Sequence, residues 1–202
     1  MNTEQQAGDE SEIAVNHFDA DELFVRIEHQ GTTALRIDNE PGDFIRRFTA
    51  TILRTSPDGE LDETAAKLAT IEFQVLGTSA WGERPSLMEV FDAESADHLA
   101  IFEALYDEDG VLRDELNVID DGDLIYVELI EVAPREDAFE VVRHALENIF
   151  AQYGRACFGA VYCQANWESI GIARTLKDRG FEPTRERKIW FLDLGNKRAP
   201  LR

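Results

Sequence analysis

Two carboxylates, Glu128 and Glu131, sit inside an otherwise apolar run that begins at Asp123 and ends at Pro134. A carboxylate held in apolar surroundings has its pKa raised and can serve as a general base near neutral pH. The two are three residues apart, so a regular strand sends them to opposite faces. A bulge between them brings both nearer one side. The plainer alternative is that one glutamate faces solvent while the other pairs with an arginine.

The run that carries them is nearly unbroken in apolar and β-branched residues, as a buried strand requires. After it, Phe139, Val142, Ala145, Leu146, Ile149 and Phe150 recur at helical spacing, and Gly154 ends the pattern. Cys157 to Cys163 reads as a second short buried strand. A second helix, carrying Ile172, Ala173 and Leu176, closes at Gly180. Strand, helix, strand, helix in about sixty residues predicts a βαβα unit with two parallel strands and a right-handed connection.

The remaining chain must cover that sheet. Leu23 to Glu28 is expected to be a first strand, and Ala34 to Asp38 follows the turn at Gly31-Thr-Thr. Phe44 to Thr55 alternates as a long strand, and Leu68 to Leu76 returns antiparallel to it after Pro57-Asp58-Gly59. Between Thr78 and Gly122 the character changes. Trp81, Pro85, Leu87, Met88, Val90 and Phe91 form an irregular apolar stretch. Ser95 then caps a helix in which Leu99, Phe102 and Leu105 or Tyr106 face inward, and Gly110 ends it. Lys188 to Leu194 is a last strand, antiparallel to its neighbours because its joint to Gly180-Phe181 is short.

The expected fold class is therefore α/β (α+β in stricter usage). A mixed, mostly antiparallel sheet surrounds one parallel strand pair, with helices on its faces. One domain spans residues 21–194 with an insertion at 78–122, between a flexible acidic segment at 1–20 and a basic tail at 195–202.

Composition excludes several function classes. The net charge is −21 and is polarised: residues 89–140 hold 18 acids against 2 bases, while residues 141–202 hold 6 against 11. Direct nucleic-acid binding is disfavoured, since phosphate affinity comes from Lys and Arg. A cationic small molecule or a basic protein is the favoured partner. A solvated acidic surface reflecting the source organism explains the same charge without a function. No apolar run reaches the length of a membrane span. The polar, acidic residues 1–16 do not read as a secretory or mitochondrial leader, so the expectation is a soluble, cytoplasmic chain. Cys157 and Cys163 are six apart in one strand, roughly 20 Å between Cα atoms, and too far for a disulfide. Free thiols fit a reducing compartment.

The sequence contains no Walker loop, Gly-x-Gly-x-x-Gly, Cys-x-x-Cys or His-Glu-x-x-His. His17, His29, His98 and His144 lack ligand spacing, and no metal is expected. Asp107-Glu-Asp-Gly110 fails as a calcium loop, because Leu105 and Leu116 fall where carboxylates are needed. Ser79 lacks the second glycine of a nucleophile elbow.

Residues 123–194 resemble the GNAT superfamily of N-acyltransferases. Ile130-Glu-Val-Ala-Pro134 is similar to the end of that family's central strand, where the sheet splays and backbone amides meet the pantetheine arm of coenzyme A. The helix from Arg135 is similar to the one whose amino terminus holds the pyrophosphate. Asn166 followed by Arg179-Gly-Phe-Glu-Pro183 resembles the second motif. The resemblance implies acetyl-CoA or another acyl-CoA as donor and an amine as acceptor. It implies that Val132, Ala133, Arg135, Ala138 and Asn166 contact the donor, that Glu128 or Glu131 is the base, and that Tyr162 is the substitute acid. Leu176 stands where many members place the acidic tyrosine. The family's pyrophosphate glycines are replaced, with Glu136, Asp137 and Glu140 in their neighbourhood. The alternative expectation is a non-catalytic GNAT-like acidic binding or regulatory module, including a nucleic-acid mimic that engages a basic protein. An unrelated α/β domain with a likeness of fold alone is a third.

Overall fold

Alternation decides the strands. In the computed structural model, β1 (Leu23–Gln30), β2 (Ile45–Arg54) and β3 (Ala66–Leu76) form an antiparallel meander. The structure describes residues 23–30, 44–54, 66–77, 86–116, 118, 122–134, 137–163, 170–184 and 189–195. Expectations for 1–22, Ala34 to Asp38, Trp81, Arg135, Asn166 and the tail from 196 lie outside those residues.

The βαβα unit follows the predicted order. β4 (Asp123–Val132) pairs antiparallel with β3 and parallel with β5 (Cys157–Cys163), and α3 (Ala138–Tyr153) joins the two. α4 (Ile170–Asp178) leads to β6 (Glu182–Pro183) and β7 (Ile189–Asp193). The sheet order is β1-β2-β3-β4-β5-β7-β6, and β4–β5 is its parallel pair among the described strands. The mixed, mostly antiparallel α+β sheet is as the sequence led us to expect. So is β7, antiparallel to both β5 and β6.

Both faces of the sheet are covered. On one, Val141, Val142, Ala145, Leu146 and Ile149 of α3 meet Ile71, Phe73, Ile125, Val127 and Ile130. Phe48, Phe73 and Tyr153 form an aromatic cluster there, with ring centroids 4.8–5.3 Å apart. On the other, Val90, Phe91, Ile101, Phe102 and Leu105 meet Leu76, Leu124, Tyr126 and Val161.

That second layer differs from expectation. The stretch read as irregular contains α1 (Leu87–Glu94), with a complete capping box between Ser86 and Glu89. α2 (Ala96–Leu105) is capped by Ser95 as expected, but it ends at Leu105 rather than Gly110. Tyr106 has extended backbone and bridges Leu112, and Gly110 serves the intervening turn at φ 74°. The inward residues are His98, Ile101, Phe102, Ala104 and Leu105, while Leu99 is only half-buried.

The entry to β4 depends on one glycine. Gly122 has φ 135°, and a Cβ there would lie 2.3 Å from the Ala156 carbonyl oxygen. The bare backbone lets β4 start against the turn that ends α3. Cys157 and Cys163 are both buried and are not disulfide-bonded.

Candidate functional site

Among the described residues the last β4–β5 pair is Val127↔Tyr162, and β4 continues to Val132 alongside β3. At that point β4 carries an extra residue. Phe73 pairs with Val127 and Glu72 with Leu129, which leaves Glu128 as the bulge. The consequence appears in the core: Val127 and Ile130, three apart, both face α3.

The bulge resolves the question left open for the two glutamates. Gln74, Glu72 and Thr70 lie on one face of β3 by period-two alternation. Glu131 pairs with Thr70, and Glu128 accepts a hydrogen bond from Gln74. Both carboxylates therefore lie on the face opposite α3, Glu128 half-buried and Glu131 exposed.

Glu128 is held by a chain of polar groups reaching into α2. Gln74 Nε2 donates to Glu128 Oε2 at 2.8 Å, and Gln74 Oε1 faces His98 Nε2 at 2.9 Å. An ionised carboxylate only accepts, which fixes the amide orientation and puts the proton on His98 Nε2. His98 Nδ1 is then an acceptor, and the Ser95 hydroxyl donates to it at 2.7 Å. Ser95 Oγ in turn accepts from the His98 backbone amide at 3.3 Å, capping α2. His98 is packed edge-on to Tyr126, with centroids 5.1 Å apart. Desolvation pulls its pKa below the ordinary 6.5, against the raising influence of Glu94, Glu128 and Asp97 and with a lowering one from Arg47. The imidazole is thus neutral at pH 7, consistent with its single ring proton.

The other predicted site residues are distributed around the end of β4. Val132 pairs with Ala69, and the Ala133 amide donates to the Leu68 carbonyl at 2.9 Å, so that amide is committed to β3. Ala138 opens α3, with Asp137 at the N-cap making no side-chain capping bond and Glu140 in the first turn. Arg54, at the end of β2, brings its guanidinium to 3.5 Å from Asp137. Phe139 lies under the Arg174 guanidinium at 5.9 Å, on the α4 side. Tyr162 is fully buried in the α3-side core, where desolvation and then Cys163 push its pKa well above the usual phenol value. Arg135 and Asn166 lie outside the described residues.

Sequence reasoning missed Gln74, His98 and Arg54. Gln74 and His98 are 24 residues apart on a strand and a helix, a separation that no spacing rule flags. An unpaired Gln inside the apolar run of β3 was the available signal.

Among the described residues, no group of three or more His, Cys, Asp or Glu is placed to hold a metal ion. No described helix is long and apolar enough to cross a membrane. Comparison with protein-family models, with curated proteins and with solved structures gives no match.

Proposed function

We propose that the chain is a GNAT-like, acyl-CoA-dependent N-acyltransferase acting on an amine. The observation that carries this reading is the Glu128 bulge on the central strand, next to its last described pair with β5 (Val127↔Tyr162) and ahead of the helix that starts at Ala138. α/β sheets accept ligands at the carboxyl ends of their parallel strands. The pantetheine arm would lie along β4 past the bulge, with its pyrophosphate toward the amino terminus of α3.

Glu128 is then the base. It removes one proton from the acceptor ammonium; the amine nitrogen attacks the thioester carbonyl carbon, the C–N bond forms, and the C–S bond breaks to expel coenzyme A as its thiolate, which takes up the second proton that the nitrogen gives up in becoming an amide. Gln74 orients the carboxylate and His98 orients Gln74. This reading gives Tyr162, buried in the α3-side core, a packing role.

One observation favours the second reading, a non-catalytic acidic module. Asp137 and Glu140 stand where the phosphates would sit, and both carboxylates suit an ordinary helix start. The test is release of free coenzyme A thiol from acetyl-CoA in the presence of a panel of primary amines. Amine-dependent release that Glu128→Gln suppresses supports the transferase. Absence of amine-dependent release across the panel favours the acidic module.

A further inference from the structure

β1 stands first in the sheet order, and among the described residues no strand pairs with its outer edge. The opposite edge of the sheet is blunted in the usual way: β6 is two residues long and one of them is Pro183. β1 carries no such device. It runs for 8 residues without proline or lysine, and its register with β2 is unbroken from Leu23↔Arg54 to Gln30↔Arg47. Leu23, Val25 and Ile27 pack against the α3-side core but stay half-buried, so the apolar cover is incomplete at this edge. On the other face Phe24 is 42 % exposed. A long, unbroken, partly apolar edge is a template for another strand.

The charges on β1 decide which strand fits. Arg26 and Glu28 are two apart on one face and both are exposed. Neither has an ion-pair partner among the described residues. Two copies of β1 related by a two-fold axis pair antiparallel, and matching their faces leaves only a few registers. Centred on Arg26, the two arginines oppose one another; centred on Glu28, the two glutamates do. Centred on Val25, only residues 23–27 pair and Glu28 is left out. Centred on Ile27, Arg26 of each copy lies opposite Glu28 of the other, so two cross-strand ion pairs form. Ile27 then meets Ile27 across the axis and Val25 meets His29, which continues the half-buried row of the α3 side.

From this we infer that β1 is a self-pairing edge, through which two copies of the chain join into one continuous antiparallel sheet centred on Ile27. A second copy supplies the reversed order of charges by symmetry alone. The interface adds backbone hydrogen bonds along β1 and covers Leu23, Val25 and Ile27 from the open side. β2 and β3 separate it from β4, so it stands independently of the acyl-transfer reading.

The test is sedimentation velocity of the full chain over the micromolar range in about 0.15 M salt, where repulsion between the two acidic chains is screened beyond about 8 Å. A species of twice the 22.9 kDa chain mass is expected. Arg26→Glu or Glu28→Arg alone sets like charges across the axis and should weaken association at least ten-fold. The Arg26→Glu, Glu28→Arg double variant restores both pairs and should dimerise as the native chain does. An equimolar mixture of the two single variants should also regain the dimer, since one chain then offers two acids and the other two arginines; the same result shows that each is folded. Lys177→Glu, at an exposed position of α4, should change nothing. A native chain that stays monomeric at the highest concentration, single variants that dimerise like the native chain, or a double variant that stays monomeric would overturn the interface.

Discussion

His98 Nε2 donates to Gln74 Oε1 at 2.9 Å, joining the insertion helix α2 to the strand beside the β4 bulge. Both side chains are buried, so each is the other's satisfaction as well as its anchor. Replacing His98 by leucine leaves the Gln74 carbonyl without that donor. The expected cost is about 2 kcal/mol, which lowers Tm by about 4–8 °C in a chain of this size. Urea unfolding of the variant and thermal melts measure both. An unchanged midpoint would show that the bond contributes nothing net.

Protonation of His98 links the same site to pH. Its folded pKa lies below the ordinary 6.5 chiefly through desolvation. The unfolded chain therefore binds the proton more readily than the folded one. The stabilisation is complete above pH 6.5 and is lost as pH falls from there toward the folded value. His144 on α3 is shifted the same way by desolvation and by Arg143, and adds the same sign. Stability measured between pH 7.5 and 5.5 should fall with acidity, and His98→Leu should flatten part of that slope. A slope that is the same in the variant would remove His98 from the effect and leave it to His144.

Gly122→Ala tests how β4 is started. The position requires φ 135°, and the added methyl would meet the Ala156 carbonyl oxygen at 2.3 Å. Backbone strain of this kind costs about 1–3 kcal/mol before the clash is relieved. A drop in Tm of several degrees or more is expected. Gly110→Ala is the informative control, since its φ of 74° is strained too but no atom lies within 4 Å of the new Cβ; it should cost less.

Glu128→Gln separates chemistry from architecture. Glutamine keeps an oxygen for the Gln74 amide, so stability should be nearly unchanged. Loss of the base should lower kcat by about 10²–10⁴-fold in the acyl-transfer assay. Glu131→Gln, which alters an exposed carboxylate, should leave kcat largely intact. A kcat unaffected by Glu128→Gln would remove the carboxylate from the mechanism.

The residues explain why some of this was legible and some was not. β4 and β5 were readable because burial on both sides writes apolar runs, α3 because its apolar residues recur at helical spacing, and Pro134 and Gly154 punctuate them. α1 was passed over although Ser86 and Glu89 announce a capping box, because Val90 and Phe91 are too few to show a helical period. The end of α2 was misplaced at Gly110 because glycine marks both helix ends and turns, and here Tyr106 had already turned extended. The Glu128 bulge belongs to the pairing of β4 with β3, not to either strand alone, and so has no sequence of its own. The Gln74–His98 bond is a product of packing an insertion against a sheet face. Expectation had left the two glutamates on opposite faces or together; only the register decides.

The most direct measurement is calorimetric titration of the protein with acetyl-CoA, in the native chain and in an Ala138→Gly, Glu140→Gly double variant. Acetyl-CoA binding at micromolar concentration by the native chain, tightened in the variant as the α3 amino terminus becomes less acidic and more open, is the expected result. No binding by either protein would contradict the claim that the carboxyl end of β4, past the Glu128 bulge, receives an acyl-CoA.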